Sequence, residues 1–472
     1  MNKTYGVCLG ILALGLAGLG APAIHARERL GAAEAGGGNE TATTDPVSSS
    51  SSPGASSPAD LRQRIDALKA ELADLDTQLA AEKDGDTTTP ATAPQDQGTP
   101  APATTPPAAA PAAAAPMPLP SPSMAGPLAT GIPHELPAGP FGKIEVTGIL
   151  SGMGWTEGDH IPGDSPTHWE LSNAQIFIQK TTGWFQFFLQ GGAYNLPALG
   201  TSFLGTPDTV KGFYGPFPQG YIKLVKGNFN VEVGALPTLI GAEYTFTYEN
   251  MNIERGLLWN QENAVNRGIQ LNDTYKKLTV AFSWNDGFYS NRYNWLSGSA
   301  TYAFNAANSL SFVGMGNAGA YARVSSTSIA TPTTLNNSQI YNLLYTYTKG
   351  PVTITPYYQY TVVKANPSIG IPVGAHTNGG AILANYNFKH GISLAVRPEY
   401  IKSSGPNLLY GPSTGAFGFT VTPTYVKDAF FIRGDFSIVH VTNFDPTTGF
   451  AFGTDGTKLN QPRGVIEAGF MF

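Results

Sequence analysis

The sequence predicts an all-β fold: a transmembrane antiparallel β-barrel of about 16 strands, preceded by a disordered Ala/Pro-rich segment that carries a short coiled-coil-like helix. Three observations lead there. Only 13% of the 472 residues are charged, whereas Gly (55), Phe (25) and Tyr (21) are plentiful. Mean hydropathy is nonetheless only -0.10, the weak signal of strands with one apolar and one polar face. From Phe141 onward such strands are joined by connections that alternate between short and long. Barrels of even strand number obey that rule, and a soluble sandwich has no reason to.

The chain begins with Lys3, an apolar run from Val7 to Leu19, and small residues at Ala21-Pro22-Ala23 and Ile24-His25-Ala26. This is the layout of an export signal, residues 1–26, with cleavage expected after Ala26 or Ala23. The run is too short to span a bilayer as a helix. The single cysteine, Cys8, falls inside it. The mature chain is therefore expected to hold no disulfide, thiolate metal site or cysteine nucleophile. No later segment resembles a transmembrane helix, so a membrane-spanning mature chain must be a barrel.

Residues 27–56, rich in Ala, Gly, Ser and Thr, read as a flexible linker. A helix is expected over 57–83. Ser57 caps it, Pro58 suits its first turn and Asp60 completes a capping-box-like phrase. Leu61, Ile65, Leu68, Leu72, Leu75 and Leu79 then form a seam of about three heptads. A parallel self-association would set Arg64 near Lys69 and Glu71 near Asp76, both like-charge pairs. An antiparallel or heterotypic partner fits better, and so does weak self-association. A partly formed amphipathic helix is the alternative, since so short a seam is marginal alone. Residues 84–140, rich in Pro, Ala and Thr, read as an extended, disordered linker. Residues 1–140 hold 7 Lys/Arg and 14 Asp/Glu, against 20 and 19 in 141–472. The acidity belongs to the N-terminal segment, and no basic stripe calls for nucleic acid.

The expected strands are 143–154, 169–180, 183–193, 219–226, 228–236, 263–272, 276–285, 294–304, 308–318, 338–348, 351–362, 376–388, 391–402, 414–426, 429–441 and 463–472. Each is long enough to cross a bilayer when tilted. Period two is clear. Phe430, Ile432, Phe436 and Ile438 oppose Phe431, Arg433, Asp435 and Ser437; Ile392, Leu394, Val396 and Tyr400 oppose Ser393, Arg397 and Glu399. Charge on one face only means an apolar exterior and a wet interior. Trp184, Trp284, Trp295, Tyr345, Tyr347 and Tyr358 near strand ends suit interfacial girdles. Pro356, Pro398 and Pro423 fall inside expected strands, where each removes a ladder donor; they imply bulges or shifted boundaries.

The stretch from Gly234 to Asn272 reads G-A-L-P-T-L-I-G-A-E-Y…N-M-N-I-E-R-G-L-L-W…N-R-G-I-Q-L-N. It resembles the OmpL-like family of β-barrel porins, and the resemblance covers residues 141–472. It implies an outer-membrane barrel of a Gram-negative bacterium with channel activity. The last strand, with Ile466, Ala468, Phe470 and Phe472 on one face, resembles the C-terminal signal read by the barrel-assembly machinery. By analogy with 16-stranded porins, a homotrimer is expected.

The longest connection, 237–262, carries Glu243, Glu249, Glu254, Arg255 and Glu262. In porin-like barrels the third long loop commonly folds inward. By that analogy these residues would face Lys223, Arg397, Arg433 and Asp435 across a constriction. Opposed charges there orient dipolar solutes. Four carboxylates against one arginine predict mild cation preference. The alternative is an outward, solvated loop. Tyr357 and Phe188 have inward parity, as sugar-stacking residues would, but ordinary wall positions explain them better.

Several apparent motifs carry nothing. Gly314-x-Gly316-x-x-Gly319 lacks the βαβ context of a dinucleotide site. His160 and His168, with Asp159 and Asp164, read as ordinary loop residues rather than metal ligands. Glu249 and Glu254 have only spacing to suggest an acid–base pair, and His440 sits on the outward parity. Neither an enzyme nor a cofactor is expected. The leading function is passive diffusion of small hydrophilic solutes. The competing one is a barrel anchor whose periplasmic helix tethers peptidoglycan or a partner protein.

Overall fold

The computed structural model of the chain describes residues 126–128, 133–318, 329–406 and 408–472. The export signal, the first linker and the helix seam of Leu61, Ile65, Leu68, Leu72, Leu75 and Leu79 lie outside the described residues, as does most of 84–140.

Sixteen strands form the barrel: β1 (Lys143–Glu157), β2 (Thr167–Lys180), β3 (Phe185–Tyr194), β4 (Gln219–Lys226), β5 (Phe229–Pro237), β6 (Val265–Tyr275), β7 (Leu278–Asn285), β8 (Trp295–Asn305), β9 (Asn308–Asn317), β10 (Gln339–Lys349), β11 (Val352–Val363), β12 (Ala375–Asn387), β13 (Ile392–Ser404), β14 (Gly415–Lys427), β15 (Phe430–Thr442) and β16 (Asn460–Met471). Each pairs antiparallel with its sequence neighbour. β16 returns to β1, from Met471↔Ile149 to Arg463↔Glu157, and closes the cylinder. Closure leaves no edge strand along the wall. Every expected strand is present, with ends moved by at most three residues. Among the described residues no helix is long and apolar enough to cross a membrane.

Connections alternate as the sequence indicated. One rim carries the short ones, such as 227–228, 276–277, 350–351 and 428–429, whose first residues Gly227, Lys276, Gly350 and Asp428 adopt positive φ. Those backbones turn the chain within two residues. The other rim carries the long ones, including 195–218, 238–264 and 443–459. The first of these holds a short helix, α1 (Thr206–Gly212).

The wall alternates strictly in its later strands. In β15, Phe436 and Ile438 are exposed outward while Arg433, Asp435 and Ser437 are buried inward. Trp184, Trp284, Tyr345 and Tyr358 are exposed outward and Tyr347 is half-exposed. Trp295 departs from the expected girdle. It is fully buried, packs edge-on against Phe288 and sends its Nε1 to the Asn336 carbonyl at 3.1 Å.

The three strand prolines mark no bulge. Pro356 interrupts pairing with β10 between Leu344↔Tyr357 and Tyr347↔Ile354, yet pairs with Ile382 on its other side. Pro398 interrupts only the β12 ladder and Pro423 only the β15 ladder. In each case pairing resumes in the same register. A missing N–H silences one side of one step, and the flanking bonds hold the strand in line.

At the C-terminus, Phe472 exchanges backbone hydrogen bonds with Gly148 of β1, at 2.6 and 2.9 Å. Its ring lies where a Cβ on Gly148 would be, 2.6 Å away. A short strand, His134–Pro137, pairs with Lys143–Val146 at the same rim. The stretch read as linker over 84–140 therefore ends in ordered structure.

Candidate functional site

The connection after β5, residues 238–264, folds into the barrel. Its sequence explains why. Phe246, Tyr248, Ile253, Leu257 and Leu258 are all buried and join apolar clusters with wall residues. An apolar stripe on a long polar connection gains by leaving water. Two single turns, Thr247–Glu249 and Trp259–Gln261, compact it.

Hydrogen bonds then fix the loop to strands on the far side. Gly241 N donates to Asn342 Oδ1 at 2.8 Å, Gln359 Nε2 to the Leu258 carbonyl at 3.0 Å, and Thr377 Oγ1 to Gln261 Oε1 at 2.6 Å. Asn252 Nδ2 donates to Thr422 Oγ1 at 2.5 Å, the Glu254 amide to Asp435 at 2.8 Å, and Thr247 Oγ1 to Glu467 at 2.8 Å.

Three wall arginines organise the charge. Arg397 on β13 reaches Glu243 at 2.6 Å, the Glu254 carbonyl at 2.7 Å and its strand neighbour Glu399 at 3.1 Å. Arg433 on β15 forks onto Glu467 at 2.7 and 2.9 Å and donates to the Asn250 carbonyl at 3.0 Å. Arg463 on β16 joins Glu157 at 2.6 Å and Glu254 at 2.7 Å, with its guanidinium 3.8 Å from the Trp155 ring centre. All three are buried. Charges taken out of water persist only when paired and hydrogen-bonded in this way.

Of the residues singled out by sequence, Glu243, Glu254, Arg397, Arg433 and Asp435 are brought together. Lys223 is not. It faces inward on β4 but pairs with Glu232 on the adjacent β5 at 2.9 Å. Arg255 turns from the wall arginines to the preceding connection, donating to the Pro197 carbonyl at 3.0 Å and lying near the Trp259 ring. Burial lowers it to about 10, against the pull of Glu243. Burial raises the Glu249 carboxyl to about 8, although the Phe246 amide donates to it at 2.8 Å. Burial and the neighbouring Glu243 carboxylate push Glu262 well above the usual range. Glu249 is therefore held largely neutral at pH 7. Arg463, Glu157, Glu399 and Glu467 escaped selection. The inward parity of β1, β13 and β16, opposite the outward Ile466 and Phe470, would have found them.

Tyr357 and Phe188 are covered by the loop clusters, so neither is an open stacking surface. Gly314 and Gly316 lie within β9, and Gly319 is outside the described residues. His168 contacts Asp164 at 3.0 Å and stacks on Phe203. No group of three or more metal-ligating side chains occurs among the described residues. His440 is outward and bonds Asn460 at 2.8 Å.

A closed 16-stranded antiparallel barrel with an inward third connection and a charged interior defines a protein of the porin class. The chain belongs to the family described as "Putative beta-barrel porin-2, OmpL-like", which matches residues 143–472. Membership makes it an outer-membrane barrel. No curated protein matches the chain. Among solved structures, an anion-selective porin from Comamonas acidovorans gives a TM-score of 0.50 at 11% identity, over 70% of this chain and 99% of that one. Outer-membrane expressed OmpT of Vibrio cholerae gives 0.47 at 11% identity, over 72% and 100%. The outer membrane channel DcaP of Acinetobacter baumannii gives 0.45 at 7%, over 70% and 97%. The likeness to the Comamonas porin supports the fold alone.

Proposed function

We propose that this barrel is a diffusion channel for small hydrophilic solutes, narrowed by its third long connection. One observation carries the reading: loop carboxylates Glu243 and Glu254 meet wall arginines Arg397 and Arg463 inside the cylinder. These pairs hold the loop against the wall inside the cylinder, where it narrows the path left for solutes. The loop's Glu243 and Glu254 outnumber its one arginine, Arg255. The remaining negative excess favours cations weakly. In this reading the short-turn rim and the N-terminal segment face the periplasm, the outward aromatic side chains meet lipid, and the assembly is a homotrimer.

The test is unitary conductance in planar bilayers with a salt gradient. Stepwise openings with a mildly cation-selective reversal potential are expected. Silence from a correctly folded barrel sinks the channel and leaves the anchor, which the depth of loop packing favours.

A further inference from the structure

Gly126, Pro127 and Leu128 precede the barrel in sequence but lie inside it. Leu128 is buried in the cluster of Ile149, Phe177, Phe431 and Met471. These four occupy inward positions on β1, β2, β15 and β16. Inward residues of such a barrel are ordinarily polar; this apolar patch is covered by Phe246 and Tyr248 of the third connection, and Leu128 joins them. Gly126 touches the third connection: a Cβ added to it would run into the Asn250 carbonyl. That carbonyl is the one Arg433 holds from the wall at 3.0 Å. Gly126 and the Arg433 guanidinium thus approach the same loop carbonyl.

The wall is closed, so this segment reaches Asn250 only through an open end. The strand His134–Pro137, paired with the first residues of β1, marks the entry at the short-turn rim. We propose that Gly126–Leu128 is a built-in plug, a piece of the N-terminal segment held in the lumen that restricts flow beneath the third connection. The proposal rests on the channel reading above. It gives the N-terminal segment a task at the pore itself.

Two measurements on the full-length protein test it, both scored on barrels whose folding is verified by heat-modifiable migration. In a Cys8→Ser background, Leu128→Cys is compared with His134→Cys, which sits at an exposed position. A charged, membrane-impermeant thiol reagent is expected to label position 128 about tenfold or more slowly, because reaction requires local opening. Equal rates overturn the docking. Leu128→Asp, which places a charge in the apolar patch, is expected to raise unitary conductance above that of the unaltered protein. Gly126→Gln, whose side chain the Asn250 carbonyl cannot admit, is expected to do the same and serves if Leu128→Asp fails to fold. Channels of equal conductance overturn the plug while the channel reading stands. Silence from all of them ends the channel reading and the plug with it.

Discussion

Replacing Arg397 by leucine tests how the loop is held. The guanidinium donates to Glu243 at 2.6 Å, the Glu254 carbonyl at 2.7 Å, Glu399 at 3.1 Å and Thr420 at 3.2 Å. In Arg397→Leu the two carboxylates keep only backbone donors, Gly256 N to Glu243 at 2.9 Å and Leu257 N to Glu399 at 2.6 Å. Removing one member of a buried pair costs about 3–5 kcal/mol, and here one cation serves two carboxylates. The loop can limit that loss by leaving the wall and rehydrating Glu243. Urea unfolding in lipid vesicles should therefore show a markedly lower midpoint, with noisier open-channel current. Adding Glu243→Leu removes one stranded charge. The double variant should be more stable than the sum of the single effects predicts, by ~1–3 kcal/mol. Additivity within about 0.5 kcal/mol, or an unchanged Arg397→Leu midpoint, refutes the account.

Three further outcomes follow from the same structure. Glu249 keeps its proton up to about 8 in the folded protein, against 4.5 in the unfolded chain. The folded state then binds more protons between those values, so stability should fall as pH rises across that window. Glu249→Gln should flatten the slope, and a slope that survives the substitution rules out Glu249 as its source. Glu254→Gln removes the carboxylate bound to Arg463. It should shift the reversal potential toward anions, and an unchanged potential shows that Glu254 lies off the ion path. Deleting Phe472 removes both bonds to Gly148. The fraction of heat-modifiable barrel should drop, and a full yield of folded protein contradicts a closing role for that residue.

The wall was legible because a closed barrel in a bilayer imposes period two on every strand. Phe436 and Ile438 against Asp435 and Ser437 announce their faces without reference to neighbours. Connection lengths were legible for a similar reason, since a hairpin turn such as Asp428-Ala429 admits few residues. What the loop touches was not legible. Arg397 and Glu243 are far apart in sequence, and nothing local to either specifies the other. Lys223 shows the limit: its inward parity was right, but Glu232 across the next strand competes successfully for it. Trp295 looked like a rim aromatic, because burial under the Leu335–Asn337 turn is decided by a distant connection. Leu128 was hidden in a stretch whose composition alone reads as disordered, because the cluster that buries it is drawn from distant strands and the third connection.

The use of arginine explains why loop and wall behave as one body. A lysine ammonium is a point charge that Glu232 satisfies locally, as Lys223 shows. A guanidinium has five donors in a planar fork, enough to serve two elements at once. Arg397 spends one edge on Glu399 of the wall and another on Glu243 and the Glu254 carbonyl of the loop. Arg433 divides itself between Glu467 and the Asn250 carbonyl. Arg463 joins Glu157, Glu254 and the carbonyls of Ala198 and Thr201 in the preceding connection. Lifting the loop takes Glu243 from Arg397, Glu254 from Arg463 and the Asn250 carbonyl from Arg433, while each arginine keeps its wall carboxylate. Loop and wall are thus tied at three separate guanidinium groups, on β13, β15 and β16.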